Sequence, residues 1–139
     1  MTAEIVIPVF VIAWLSVCSW SDWKKRLVSN WLTMPVILVF LLLRIAKITY
    51  GPWEFAFGIS IIVLIGWFAG VGIGGADAKI TIAMALIDPQ LAIWAWLGVI
   101  AWYLAVRAIT LGEKGPYNLP GVVGFLLGAV ILLGWRRLL

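Results

Sequence analysis

Six apolar runs, broken by short polar stretches, set the pattern of this 139-residue chain. A helix needs roughly 20 apolar residues to cross a hydrocarbon core. Ile5 to Trp20 is the first run, followed by the polar patch Ser21–Arg26 with Asp22, Lys24, Lys25 and Arg26. Trp31 to Tyr50 is the second, with Arg44 and Lys47 about one turn apart near its end, where both can snorkel to an interface. Trp53 to Val71 is the third; its Gly66 and Gly70 stand four apart, a spacing that lets helix backbones approach. A glycine-rich segment, Gly70 to Asp77, leads to the fourth run, Ala78 to Ile87, which stops at Asp88-Pro89. That run rises only about 15 Å as a helix, half the core. Leu91 to Ile109 is the fifth. A polar loop, Leu111 to Asn118, precedes the sixth, Leu119 to Trp135, which carries Gly124 and Gly128 and closes on Arg136-Arg137. The pattern predicts an all-α membrane protein, a bundle of about six transmembrane helices with a short fourth helix. No polar stretch is long enough for a second domain, so residues 1–139 are expected to form a single polytopic domain.

Composition agrees. The chain is 65% hydrophobic and 12% charged, about half the charged fraction of a soluble domain. Ten tryptophans suit membrane–water interfaces. The first run lacks a basic segment before it, since the basic cluster comes after, so it is not expected to be a cleavable signal peptide. The net charge of +4 is assigned to lysines and arginines flanking the spans. No nucleic-acid partner is expected; membrane lipid is.

Charge asymmetry sets the expected orientation. Loops after spans one, three and five hold Lys24, Lys25, Arg26, Lys79, Arg107 and Lys114, while the other side holds Arg44, Lys47, Arg136 and Arg137. The Lys24–Arg26 cluster beside the first span dominates, which puts Asp22 and Asp77 at the cytoplasmic face and both termini outside.

The available chemistry is narrow. There is no histidine and one cysteine, Cys18. His-based acid–base and nucleophilic dyads are therefore excluded, and there is no CxxC pair for zinc. Neither a metal nor a cofactor is expected. Hydrolysis must lean on carboxylates, lysines or serines. Of six acids, Glu4, Glu54, Asp88 and Glu113 fall near span ends or in loops and read as solvated interface groups. Asp22 alone reads the same way, beside three basic residues. Asp77 opens a helix from a glycine-rich loop. It can be a simple N-cap, or an acid at membrane depth, where ionisable residues are functional candidates.

The two segments taken together carry more. Asp22-Trp23-Lys24-Lys25-Arg26-Leu27-Val28-Ser29-Asn30-Trp31-Leu32 resembles the first motif of type IV prepilin peptidases. There an Asp after the first span is followed, six residues on, by a branched apolar residue, then Pro or a small residue, then Asn. Gly74-Gly75-Ala76-Asp77-Ala78-Lys79 resembles the second motif, Gly-x-Gly-Asp-x-Lys, which opens the fourth span. Pro116-Tyr117-Asn118-Leu119-Pro120-Gly121 looks like that family's proline-rich approach to the sixth span. Two positions depart: Ala76 stands where Gly is usual, as in archaeal branches, and Ser29 where Pro is usual.

The resemblance implies an intramembrane aspartic endopeptidase with Asp22 and Asp77 as the catalytic pair. Asn30, Gly74, Gly75, Ala76 and Lys79 are implied as motif-supporting residues. Its substrate would be a prepilin-like or archaellin-like precursor, cut at its short basic leader. The chain between Asp22 and Trp31 is too short to hold the cysteine-bearing insertion linked to N-methylation in bifunctional members. Two other readings remain. A small ion-coupled transporter would use Asp77 at a broken helix, although the two halves show no symmetric pair of broken helices. An inactive relative could serve as an assembly subunit, against which both aspartates are retained.

Overall fold

The computed structural model describes residues 3–25, 27–70, 73–110 and 120–138. These form six helices and no strand: α1 (Ala3–Lys25), α2 (Asn30–Ile45), α3 (Trp53–Phe68), α4 (Gly75–Ile87), α5 (Pro89–Ile109) and α6 (Gly121–Leu138). Count and order match the six apolar runs. Two helices, α1 and α5, are long and apolar enough to cross a membrane; α2, α3 and residues 121–136 of α6 are shorter apolar helices. The segment from Pro116 to Leu119, singled out above, lies outside the described residues.

The chain divides into two compact units, Met1–Arg26 with Trp94–Leu139, and Leu27–Ile93. In the first, α1 packs on α6. The buried residues of α1, Ile7, Val11, Trp14, Leu15 and Cys18, recur three or four apart and so share one face. α5 meets α6 backbone to backbone. A Cβ on Gly128 would lie 2.1 Å from Trp94 O, and one on Gly98 2.3 Å from Gly124 O. The Gly124/Gly128 spacing is thus a helix-packing contact. The Gly66/Gly70 spacing is not. Gly70 has nothing within 4 Å of a built Cβ, and its φ of +66° ends α3, the usual left-handed stop after a helix.

In the second unit, α2 and α3 both pack on α4. From Ala78 to Ile87 every residue except Lys79 and Ile82 is buried. A helix apolar nearly all round belongs inside a fold. Its C-terminal carbonyls must therefore find protein partners. Ile87 O accepts from Tyr50 N at 2.9 Å. Leu86 O accepts from Arg44 Nη1 at 3.5 Å. Arg44 is 2% exposed, so it does not snorkel to an interface. Its Nη1 also donates to Tyr50 O and Thr49 Oγ1, and Nη2 to Gly51 O and Pro52 O at 2.8 and 2.7 Å. The guanidinium also lies over Trp53, 5.5 Å from the ring centroid. These carbonyls belong to the turn after α2, so the second apolar run ends at Ile45 rather than Tyr50. Asp88 is corrected in the same way. It is 4% exposed, not solvated, and its Oδ1 accepts from Gln90 N at 2.9 Å. It caps α5, with Pro89 at the first helical position.

Gly128→Ala should lower the melting temperature in detergent by several degrees, since overpacking a tight contact costs about 1–3 kcal/mol. Gly134→Ala, on the same helix with nothing within 4 Å of its Cβ, should leave it unchanged or slightly raised. Equal effects from the two would refute the close α5–α6 crossing. Arg44→Met should destabilise more severely, by about 3 kcal/mol or more, because the buried Leu86 carbonyl and three carbonyls of the turn after α2 lose a charged donor. Arg44→Lys should not rescue it, since an ammonium cannot span the same fork of acceptors; full recovery with lysine in a thermal melt would contradict the described role.

Candidate active site

Asp22 lies inside α1, which runs on to Lys25 instead of stopping at Trp20. No Gly or Pro interrupts Ser21–Lys25. Lys24 and Lys25 suit the negative end of the helix dipole, and Lys24 Nζ stands over the Trp20 ring at 4.6 Å. The half-buried Asp22 side chain turns toward α6. Its Oδ2 accepts from Val122 N at 3.3 Å. Ser19, one turn earlier, donates from Oγ to Val122 O at 3.1 Å.

Asp77 lies in the first turn of α4, which begins at Gly75, three residues before the predicted start. Gly74 occupies the N-cap position, with φ −68° and ψ 151°, and its carbonyl accepts from Ala78 N at 3.0 Å. Asp77 is therefore the third helical residue and not the cap. Its carboxylate folds back over the helix start: a Cβ on Gly74 would lie 3.1 Å from Asp77 Oδ2. Glycine leaves room for the acid there, and the position favours negative charge. The Asp77 carbonyl accepts from Thr81 Oγ1 at 2.7 Å. Gly75 faces Trp67, whose Nε1 would be 3.5 Å from a Cβ. Both Ala76 and Asp77 are half-buried.

The two motifs touch within the second unit. Lys79 Nζ donates to Asn30 Oδ1, joining the start of α4 to the start of α2. Ser29, in place of the usual proline, is the N-cap of α2; its Oγ accepts from Trp31 N at 3.3 Å. The Ser29-Asn30 pair before an apolar run is a helix-start signal readable from sequence. The Lys79–Asn30 and Asp22–Val122 contacts join distant stretches of chain and leave no such local sign. Beside Asn30, a groove of about 400 Å³ runs along Trp31, Met34, Pro35 and Leu38. Those lining residues hold no acid or base, so the groove offers apolar contact and no proton transfer. Among the described residues, no three Cys, Asp or Glu side chains gather into a metal-ligand group.

The Asn30–Lys79 bond should appear as coupling in a double-mutant cycle. Asn30→Ala and Lys79→Met, alone and together, should show an interaction energy of about 1 kcal/mol in thermal stability, the usual worth of one such bond. Strict additivity would mean the bond does not hold the two helix starts together.

A family model for type IV leader peptidases matches residues 9–135. No curated protein and no solved structure matches the chain significantly. The matched stretch carries Asp22, Asn30, Gly74, Gly75, Ala76, Asp77, Lys79 and the start of α6. A match over nearly the whole chain that holds both motifs makes the protein a member of the type IV leader peptidase family.

Proposed function

We propose that the protein is an intramembrane aspartic endopeptidase, with Asp22 and Asp77 as its catalytic pair, that removes the short basic leader of prepilin-like or archaellin-like precursors. Family membership makes it a peptidase with a prepilin-like substrate in general. The observation that carries the finer reading is the setting of the two aspartates. Each is a half-buried carboxylate engaged at the first turn of a helix, Asp22 by the amide of Val122 and Asp77 over the start of α4. Each also belongs to one of the two motifs described above.

In the proposed chemistry the two carboxylates share one proton, because close carboxylates do not both ionise readily. The ionised one takes a proton from water as the water oxygen bonds to the scissile carbonyl carbon. The protonated one donates to the carbonyl oxygen. Collapse of the tetrahedral intermediate breaks the C–N bond, and the departing amine takes a proton from the pair. The pair acts as one titrating unit, so neither role is assigned to a single residue.

The proposed setting is a multi-pass bundle of six spans in the cytoplasmic membrane, a single domain with both termini outside and the aspartates at the cytoplasmic edge. Support comes from the membrane-associated family, from α1 and α5, and from large apolar side chains left exposed to their surroundings, among them Trp31 at 88% and Phe68 at 79%. A precursor's apolar helix would lie against the bundle in lipid while its basic leader stays in water. Only Leu27–Ser29 stand between Arg26 and the start of α2, which leaves no room there for an N-methylating module.

Kinetics test the pair. Asp22→Asn and Asp77→Asn keep size and polarity but remove the charge and the proton exchange. Each should lower cleavage of a prepilin-like precursor at least about a thousandfold in a folded, membrane-inserted protein. The double variant should be no worse than either single one, as for residues that act as a unit. Asp88→Asn, which still caps a helix, and Glu54→Gln should cut nearly normally. Most activity retained by either Asp22→Asn or Asp77→Asn would end the aspartic reading.

A further inference from the structure

The side chains of Ser19 and Asp22 both reach the same residue on another helix. Serines and threonines inside these helices mostly bond back to the carbonyl four residues earlier: Ser16 to Ile12 O, Thr33 to Ser29 O, Ser60 to Ala56 O and Thr81 to Asp77 O. That local bond is the default for a hydroxyl in a helix. Ser19 does otherwise. It is buried at 7% exposure, and its Oγ donates across to Val122 O at 3.1 Å. Asp22, three residues on and so on the same face of α1, accepts from Val122 N at 3.3 Å. Val122 itself is 1% exposed. It is the second residue of α6, so its N–H has no acceptor within that helix. Two side chains of α1 thus hold both polar backbone groups of one residue, at the end of α6 where negative charge is favoured.

We propose that the first turn of α6 is the positioning device for the Asp22 carboxylate, with the Val122 amide as donor to Oδ2 and Ser19 as the residue that keeps that turn in register. The inference rests on the reading of Asp22 as one of the catalytic pair. A carboxylate on a single helix is free to rotate about two side-chain torsions. The amide fixes Oδ2, and with it the plane of the group, which leaves Oδ1 to meet the attacking water. Ser19 acts through Val122. Without its hydroxyl, α6 can slide along α1 and carry the amide out of line. The α5–α6 crossing at Gly98, Gly124 and Gly128 holds the same helix from its other side. The position of Asp22 is therefore inherited from three helices of the first unit.

The test compares full-length variants in detergent micelles, with a prepilin-like precursor as substrate and kcat and KM measured separately. Val122→Pro removes the N–H. Proline is tolerated in a first helical turn, and the preceding Gly121 has no Cβ to clash with the ring. It should lower kcat roughly tenfold or more, the scale of one hydrogen bond to a charged group, with KM little changed. Val122→Ala keeps the amide and should restore kcat to within about threefold of wild type, although it loses two buried methyl groups. Ser19→Ala should lower kcat by about threefold to tenfold, again without a matching change in KM, and Ser19→Thr should recover most of it. A direct measurement covers the case in which Val122→Pro does not fold. The 15N-labelled Val122 amide should move in its NMR spectrum when Asp22→Asn is introduced, and an amide that does not respond overturns the inference. A wild-type kcat in folded Val122→Pro, with Asp22→Asn inactive, also overturns it and leaves the proposed function standing. Full activity in Asp22→Asn would remove both.

Discussion

Thirteen residues of α4 rise about 20 Å, and eight of them, all between Ala78 and Ile87, are buried. A helix whose C-terminal end is enclosed in this way cannot leave its last C=O groups to water, so they must be met by protein. At the C-terminal end Arg44 and the backbone of Tyr50 meet the carbonyls of Leu86 and Ile87, while Asp88 turns the chain into α5. At the N-terminal end Gly74 supplies the first carbonyl and makes room for the Asp77 carboxylate, and Lys79 ties the first turns to Asn30. Short length, a buried C-terminal stretch and satisfied terminal carbonyls are one requirement seen from three sides.

Apolar run length located every helix, because burial of apolar surface is what makes each one fold where it does. It located their ends less well. The second run reads on to Tyr50 since Ile48, Thr49 and Tyr50 are as apolar as a helix needs, yet Arg44 draws the carbonyls of residues 50–52 inward and turns the chain at Ala46. The first run looked finished at Trp20 because Asp22 is polar. Helices end at breakers and caps, not at polar residues, and Ser21–Lys25 contain no breaker. Asp88-Pro89 was legible as an N-cap followed by a first-turn proline. Its low exposure was not, because burial of an acid depends on partners far away in sequence.

The candidate site divides along the same line. Asp22, Asn30, Asp77 and Lys79 were visible as motif positions, since their spacing is local. Which groups hold them was not. Val122 is 100 residues from Asp22, and Asn30 is 49 from Lys79. Nothing in an apolar stretch such as Gly121–Leu126 marks the one amide that will face a carboxylate. The glycine spacings show how far pattern alone reaches. Gly66/Gly70 and Gly124/Gly128 look identical on the page, yet one pair ends a helix and the other joins two, because only the second meets a backbone across it.

A common solution appears at both aspartates. An acid in apolar surroundings is costly to ionise unless fixed dipoles replace the water it has lost. The first turn of a helix offers such dipoles, in the form of N–H groups with no internal partner. Asp22 reaches one on a neighbouring helix, the Val122 amide, and Asp77 folds back over the start of its own. The arrangement also differs in stiffness between the two. Asp77 is tied to the helix whose start it sits on, so it moves only with α4. Asp22 depends on contact between α1 and α6, so its carboxylate is placed correctly only while those helices stay in register. Of the two, Asp22 is the one whose alignment a displaced helix can undo, and the first turn of α6 is where that control resides.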